Sequence, residues 1–128
     1  MGTIKEAYVS FEIASLLNEK GFDEECRARY DSNGALHYEK YPIEASGAEM
    51  HDSILCPTHQ MVMMWLREVY NIIIEPESVW NGKKWEYQLF VVTPHNYEHN
   101  PYAASPYKSY EECVEAGIKY CLEKKLIF

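Results

Sequence analysis

The chain has no paired CxxC spacing among its four cysteines, no apolar run approaching the ~20 residues needed to span a bilayer, and no basic patch. It also lacks a Gly-rich phosphate loop, a GxSxG nucleophile elbow and an HExxH metal helix. Each absence removes a class of function. Without cysteine pairs, Cys26, Cys56, Cys113 and Cys121 read as buried free thiols of a reducing compartment. Without a long apolar run or a signal-like "MGTIKEAYVSFEIASLL" start, no membrane role is expected and the protein is placed in the cytoplasm. The start also lacks the Ser or Thr that a myristoylation signal carries at its sixth position. The net charge of −8 repels phosphate backbones, so nucleic acid is disfavoured as a partner. The lysine pairs Lys83-Lys84 and Lys124-Lys125 have local reasons to exist, at a turn and at a helix end.

What is present is the composition of a folded domain. Hydrophobic residues make up 47% and charged residues 25% of 128 residues, which predicts a single folded domain over 1–128. Eleven tyrosines and three tryptophans are the unusual part, since such rings suit half-buried sheet faces and interfaces.

Periodicity divides the chain. Ser10 reads as an N-cap and Gly21-Phe22 as a left-handed stop, predicting a helix from about Phe11 to Lys20 with Ile13, Leu16, Leu17 and Lys20 on one face. "DSNG" between tyrosine-rich runs carrying Tyr30, Leu36, Tyr38 and Tyr41 predicts a hairpin. "PIEASGAEMHDSILC" has weak periodicity and reads as a loop that pairs near Ile54. "PTHQMVMMWLREVYN" predicts a second helix, started at Pro57 or Thr58, with Met61, Val62, Trp65, Leu66 and Val69 on one face. Met63, Met64 and Tyr70 widen its apolar surface beyond the stripe a surface helix needs.

Asn81-Gly82 predicts a second hairpin, with Pro76 demoting its first arm to an edge strand or a bulge. "SYEECVEAGIKYCLEKKLIF" has Ser109 and Glu112 in capping-box spacing, acidic residues at its start and lysines at its end. Its buried face is Tyr110, Cys113, Val114, Gly117, Ile118 and Cys121, with Glu115 and Lys119 as a supporting pair. The expected fold is α+β, helices packed on an antiparallel sheet, in the order helix-hairpin-helix-hairpin-helix.

The segments "SFEIASLLNEKGF", "PTHQMVMMWLREVYNIII" and "SYEECVEAGIKYCLEKKLI", about two-fifths of the chain, resemble a family of small uncharacterised prophage-associated proteins of Bacteroides-type bacteria. The resemblance implies a cytoplasmic protein of a phage or mobile element and carries over no catalytic residue. The family pattern has a glutamine where this chain has His59, and His95 to Tyr107 lies outside the matched segments. Chemistry built on those histidines would therefore not be the family's common function.

Two candidate sites remain. The first is an interaction surface made of Met63, Met64 and Tyr70 with Tyr97, Tyr102 and Tyr107, the last three in the Pro-punctuated stretch "TPHNYEHNPYAASPYKSY". Its partner would be another protein or a second copy, with no cofactor; the same tyrosines, with Tyr110, could equally lid the sheet. The second is metal or thiol chemistry. Cys56-x-x-His59 and His95-x-x-x-His99 have spacings that zinc ligands use, and Cys56 precedes a helix start that favours thiolate. If Thr93 caps a short helix, His95 and His99 lie one turn apart on it, although Asn100-Pro101 ends it at once. Ile54 and Leu55 beside Cys56 argue instead for a buried thiol. Glu75 and Glu77 flank Pro76 as a further carboxylate pair.

Overall fold

The computed structural model describes residues 6–79, 81, 83–92, 97–100 and 106–123, with side chains from 92 to 100 excepted. Four helices and two three-stranded antiparallel sheets lie among them, an α+β arrangement. The chain divides into two units, Met1–Thr58 and His59–Phe128.

In the first unit, Ser10 Oγ accepts the Ile13 N–H at 3.2 Å and starts α1, Phe11–Glu19. Gly21, at φ +82°, ends it: its N–H donates to the Asn18 carbonyl and the Phe22 N–H to the Leu17 carbonyl, the paired bonds of a Schellman motif. Phe22 is buried, as are Ile13, Ala14 and Leu17, while Leu16 and Lys20 are only half-buried. Strands β1, Cys26–Tyr30, and β2, Leu36–Ile43, form the expected hairpin. Its turn is organised by Asp31, whose Oδ1 accepts the N–H groups of Asn33 and Ala35 while Oδ2 meets His37 Nε2 at 2.7 Å. Those bonds, His37 foremost, hold the Asp31 carboxyl down at about 2.

The register runs from Tyr30↔Leu36 to Ala28↔Tyr38 and then slips to Cys26↔Ile43. That irregularity breaks the near-alternation of the tyrosines and leaves both Tyr38 and Tyr41 exposed. The stretch read as a loop contains a short helix, α2, Ala45–Glu49, before β3, Ile54–Leu55, which pairs with β1. The helix escaped notice because its five residues bury only Ala48, leaving no apolar repeat. The Ala45 N–H is held from afar by Asp23 Oδ1 at 2.7 Å. The sheet order is β2-β1-β3.

The second unit opens with α3, His59–Tyr70, whose buried residues are His59, Val62, Trp65 and Leu66. The predicted face is buried at Val62, Trp65 and Leu66 and extends back to His59, while Val69, on the same stripe in the last turn, stands 54% exposed. Asn71, at φ +57°, turns the chain into β4, Ile72–Val79, which pairs with β5, Lys84–Val92, in unbroken register from Ile72↔Val91 to Val79↔Lys84. Asn81, at φ +57°, sits in the reversal as its turn chemistry requires; Trp80 and Gly82 are outside the described residues. Pro76 lies on an edge strand, where no ladder N–H is missed.

The stretch expected to be a loop or a short helix is instead strand in part. β6, Tyr97–Asn100, pairs with β5 from Val92↔Tyr97 to Leu89↔Asn100, giving the order β4-β5-β6. Further along, Tyr107 and Trp85 exchange backbone bonds at 2.9 and 2.8 Å. Ser78 already occupies the other side of Trp85, so Tyr107 continues the line of β6. The predicted order of five elements thus lacks α2, β3 and β6.

Helix α4, Tyr110–Glu123, closes the unit. Ser109 Oγ accepts the Glu112 N–H at 3.1 Å, and Glu112 Oε2 reaches back to the Lys108 N–H, one residue before the usual capping-box donor. Cys113, Val114, Gly117, Ile118, Cys121 and Leu122 are buried, whereas Tyr110 is half-buried; Lys124 and Lys125 are outside the described residues. A Cβ on Gly117 would lie 3.1 Å from Ile74 Cγ2 and 3.5 Å from the Tyr87 ring. Gly117→Val is therefore expected to lower the unfolding free energy by about 1–3 kcal/mol through overpacking, despite replacing a helix glycine. Urea denaturation checks it; an unchanged midpoint would show that the helix can shift away from the sheet.

Candidate functional site

The α3 residues of the predicted surface are placed unequally. Met64 is 55% exposed, Met63 half-buried, and Tyr70 half-buried with its ring edge-on to Trp65 at 5.1 Å. The tyrosines further along divide as well. Tyr97 is on β6 opposite Val92, and Tyr102 is outside the described residues. Tyr107 stacks on Tyr87 with centroids 6.1 Å apart, and Tyr110 meets Trp85 edge-on at 5.2 Å while its hydroxyl accepts from Gln60 at 3.3 Å. Rings from β5 and from the start of α4 thus cover each other. Aromatic packing of this kind is worth about 0.5–1.5 kcal/mol per pair beyond the area it buries.

The cysteines are all buried. In the first unit Cys56 is fully inaccessible and its S–H donates to the Val9 carbonyl at 3.6 Å, a thiol used as a packed, weak donor. Burial pushes Cys26 and Cys121 up to about 12 and Cys113 to about 11, so none of these three is a thiolate at neutral pH. Glu75 and Glu77 are exposed on the edge strand β4, with Glu77 accepting from Gln88 at 3.1 Å.

His59 is 5% exposed and is a residue whose role sequence reasoning missed. Its Nε2 lies 2.6 Å from Glu115 Oε2, so the first residue of α3 is tied to the middle of α4. Because the carboxylate accepts, Nε2 carries the proton. Nδ1 is left buried and without a hydrogen-bond partner among the described residues. The available signal was His59 standing one turn before Val62 on an apolar stripe, opposite a helix that offers a carboxylate between Cys113 and Gly117. His99 lies on β6 opposite Phe90, and His95 is outside the described residues. Among the described residues no group of three His, Cys, Asp or Glu is placed to hold a metal ion.

Sequence reasoning also passed over a cleft in the first unit, of about 430 Å³, lined by α1, the β1–β2 turn and the connection from α2 to β3. Phe11, Glu19, Tyr30, Asp31, Glu49 and Asp52 are among its walls. The legible sign was charge. Residues 1–58 hold eleven acidic against five basic side chains, six of the chain's eight net negative charges.

The His59–Glu115 contact yields a stability prediction. Glu115→Ala leaves a buried imidazole with both nitrogens unpaired and is expected to cost about 1.5–3 kcal/mol, while Glu111→Ala, exposed on the same helix, should stay within about 0.5 kcal/mol. Equal costs in thermal and urea unfolding would mean that the contact contributes nothing specific. Compared with protein-family models, with curated proteins and with solved structures, the chain matches none.

Proposed function

We propose that the chain is a non-enzymatic, intracellular protein-interaction or accessory module of a phage or mobile element, with the outward side of α3 as its contact surface. The observation that carries the reading is Met64, 55% exposed on a helix that already buries Val62, Trp65 and Leu66. Val69, in the last turn of the same helix but about 140° around it from Met64, is a second exposed apolar group. An unbranched thioether adapts to irregular partner surfaces, which suits a side chain on the side of the helix away from its packed stripe. The mobile-element setting rests on the three segments that resemble the prophage-associated family. No helix among the described residues is long and apolar enough to cross a membrane, and a net charge of −8 opposes nucleic acid.

The partner is another protein or a second copy of the chain. Sedimentation velocity at micromolar concentration reads the second copy, and crosslinking in the native host reads the other protein. Met64→Glu and Val69→Glu, both at exposed positions, are expected to leave the fold intact and to abolish whichever association is seen. Associations indifferent to both variants would sink the reading.

A second reading, a small zinc-binding or cysteine-dependent enzyme using Cys56, His59, His95 and His99, draws on one observation. His59 has Nε2 held by a carboxylate and Nδ1 unpartnered, the way metal-ligating histidines are commonly oriented. Native mass spectrometry with zinc supplied should then show one ion per chain, lost in His59→Gln. A metal-free spectrum of the folded wild type removes this reading.

A further inference from the structure

We infer that the cleft of the first unit binds an arginine side chain presented by a basic segment of a partner protein, its guanidinium lying against Phe11 and between Glu19, Glu49 and Asp52. The inference takes from the interaction-module reading only that the partner is a protein, and it concerns a different surface.

Shape comes first. At about 430 Å³ the cleft is within the range of sites that take small ligands or single side chains, roughly 300–1,000 Å³. One wall is the Phe11 ring, 42% exposed yet fixed in place. It sits edge-on to Tyr30 at 5.5 Å and within 3.8 Å of where a Cβ on Gly34 would stand, and the Tyr30 hydroxyl is anchored to the Val9 carbonyl at 2.6 Å. An exposed aromatic face held rigid by its neighbours loses little entropy on binding.

The electrostatics then choose the sign of the ligand. Of the four carboxylates on the walls, Asp31 is committed to its own turn and to His37. The carboxylates of Glu19, Glu49 and Asp52 make no hydrogen bond or ion pair among the described residues. The neighbouring cation is already taken: Arg29 reaches Ser53 Oγ at 2.7 Å, but its charge is paired with Glu39 at 2.6 Å. With six net negative charges on the unit, a cation gains from both the local carboxylates and the wider field.

Chemistry narrows the cation. A metal ion needs ligands converging on one point, and no three His, Cys, Asp or Glu among the described residues do so. A planar guanidinium can stack on a ring and offer its remaining edges to carboxylates bidentately, which a point-charge ammonium does less well.

The test is a titration of the ¹⁵N-labelled full chain with a blocked peptide carrying two arginines between glycines, against the same peptide with citrulline in both positions. Citrulline keeps the shape and removes the charge. Amide shifts are expected to concentrate at Phe11, Ser15, Glu49 and Asp52, with the citrulline peptide at least about tenfold weaker, as loss of charge-assisted bonds implies. The double variant Glu49→Gln/Asp52→Asn should weaken arginine binding by about tenfold as well; asparagine tolerates the φ of +51° at position 52, so the fold is preserved. Equal binding of the two peptides, shifts centred elsewhere, or an unaffected double variant would each overturn the inference. The Met64→Glu experiment separates the two ideas: a lost association on α3 beside a silent cleft removes the arginine site alone, and arginine binding beside an indifferent α3 removes that surface alone.

Discussion

The second unit depends on how closely α4 lies over the β4–β5 hairpin. Gly117 faces Ile74 and Tyr87 so closely that a methyl group would press on Ile74, so the helix lies nearer the sheet than a larger side chain would comfortably allow. With that approach fixed, Cys113, Val114, Ile118, Cys121 and Leu122 are buried around it. Tyr110, at the start of the helix, then falls against Trp85, and the residue that leads into it, Tyr107, onto Tyr87. Two positions before the glycine, Glu115 is carried to His59 on α3. This close approach goes with the aromatic cluster and with a buried histidine–carboxylate pair that joins two helices.

In the first unit, polar groups fix the ends of the elements around a core of Val9, Ile13, Leu17, Phe22 and Leu55. Ser10 sets the start of α1, Asp23 holds the start of α2 from 22 residues away, and Asp31 folds the hairpin turn around its own carboxylate. Tyr38, Tyr41 and Met50 are exposed, and the space between α1, the turn and α2 stays open as a cleft. An acidic unit with an open, aromatic-walled cleft and a second unit with exposed apolar residues on α3 offer two chemically different surfaces for recognition.

The legible parts of this fold were those where one residue's chemistry suffices. Gly21 and Asn81 report a left-handed backbone that few other residues accept, Ser10 and Ser109 supply the hydroxyl that caps a helix, and each bounds an element where predicted. The α4 stripe was legible because 14 residues repeat its period. What went unread had no such signature. Helix α2 buries one residue, β3 is two residues long, and β6 is flanked by prolines that imitate a loop. Of the candidate sites, Met64 was readable as surplus apolar surface, while the cleft was invisible because its walls are drawn from three segments far apart in sequence.

By itself the sequence determined the α+β character, the helix ends, the two hairpin reversals and the sign of the surface field, because each follows from local sterics or from counting charges. Tertiary structure alone decided that "YEHN" is an edge strand rather than a helix, since its pairing is with β5 and not within itself. It likewise decided that Cys56 is a packed thiol and that His59 belongs to Glu115, 56 residues later. A histidine near a cysteine in sequence suggests ligands or catalysis; which group receives its proton is a matter of which helix packs against it.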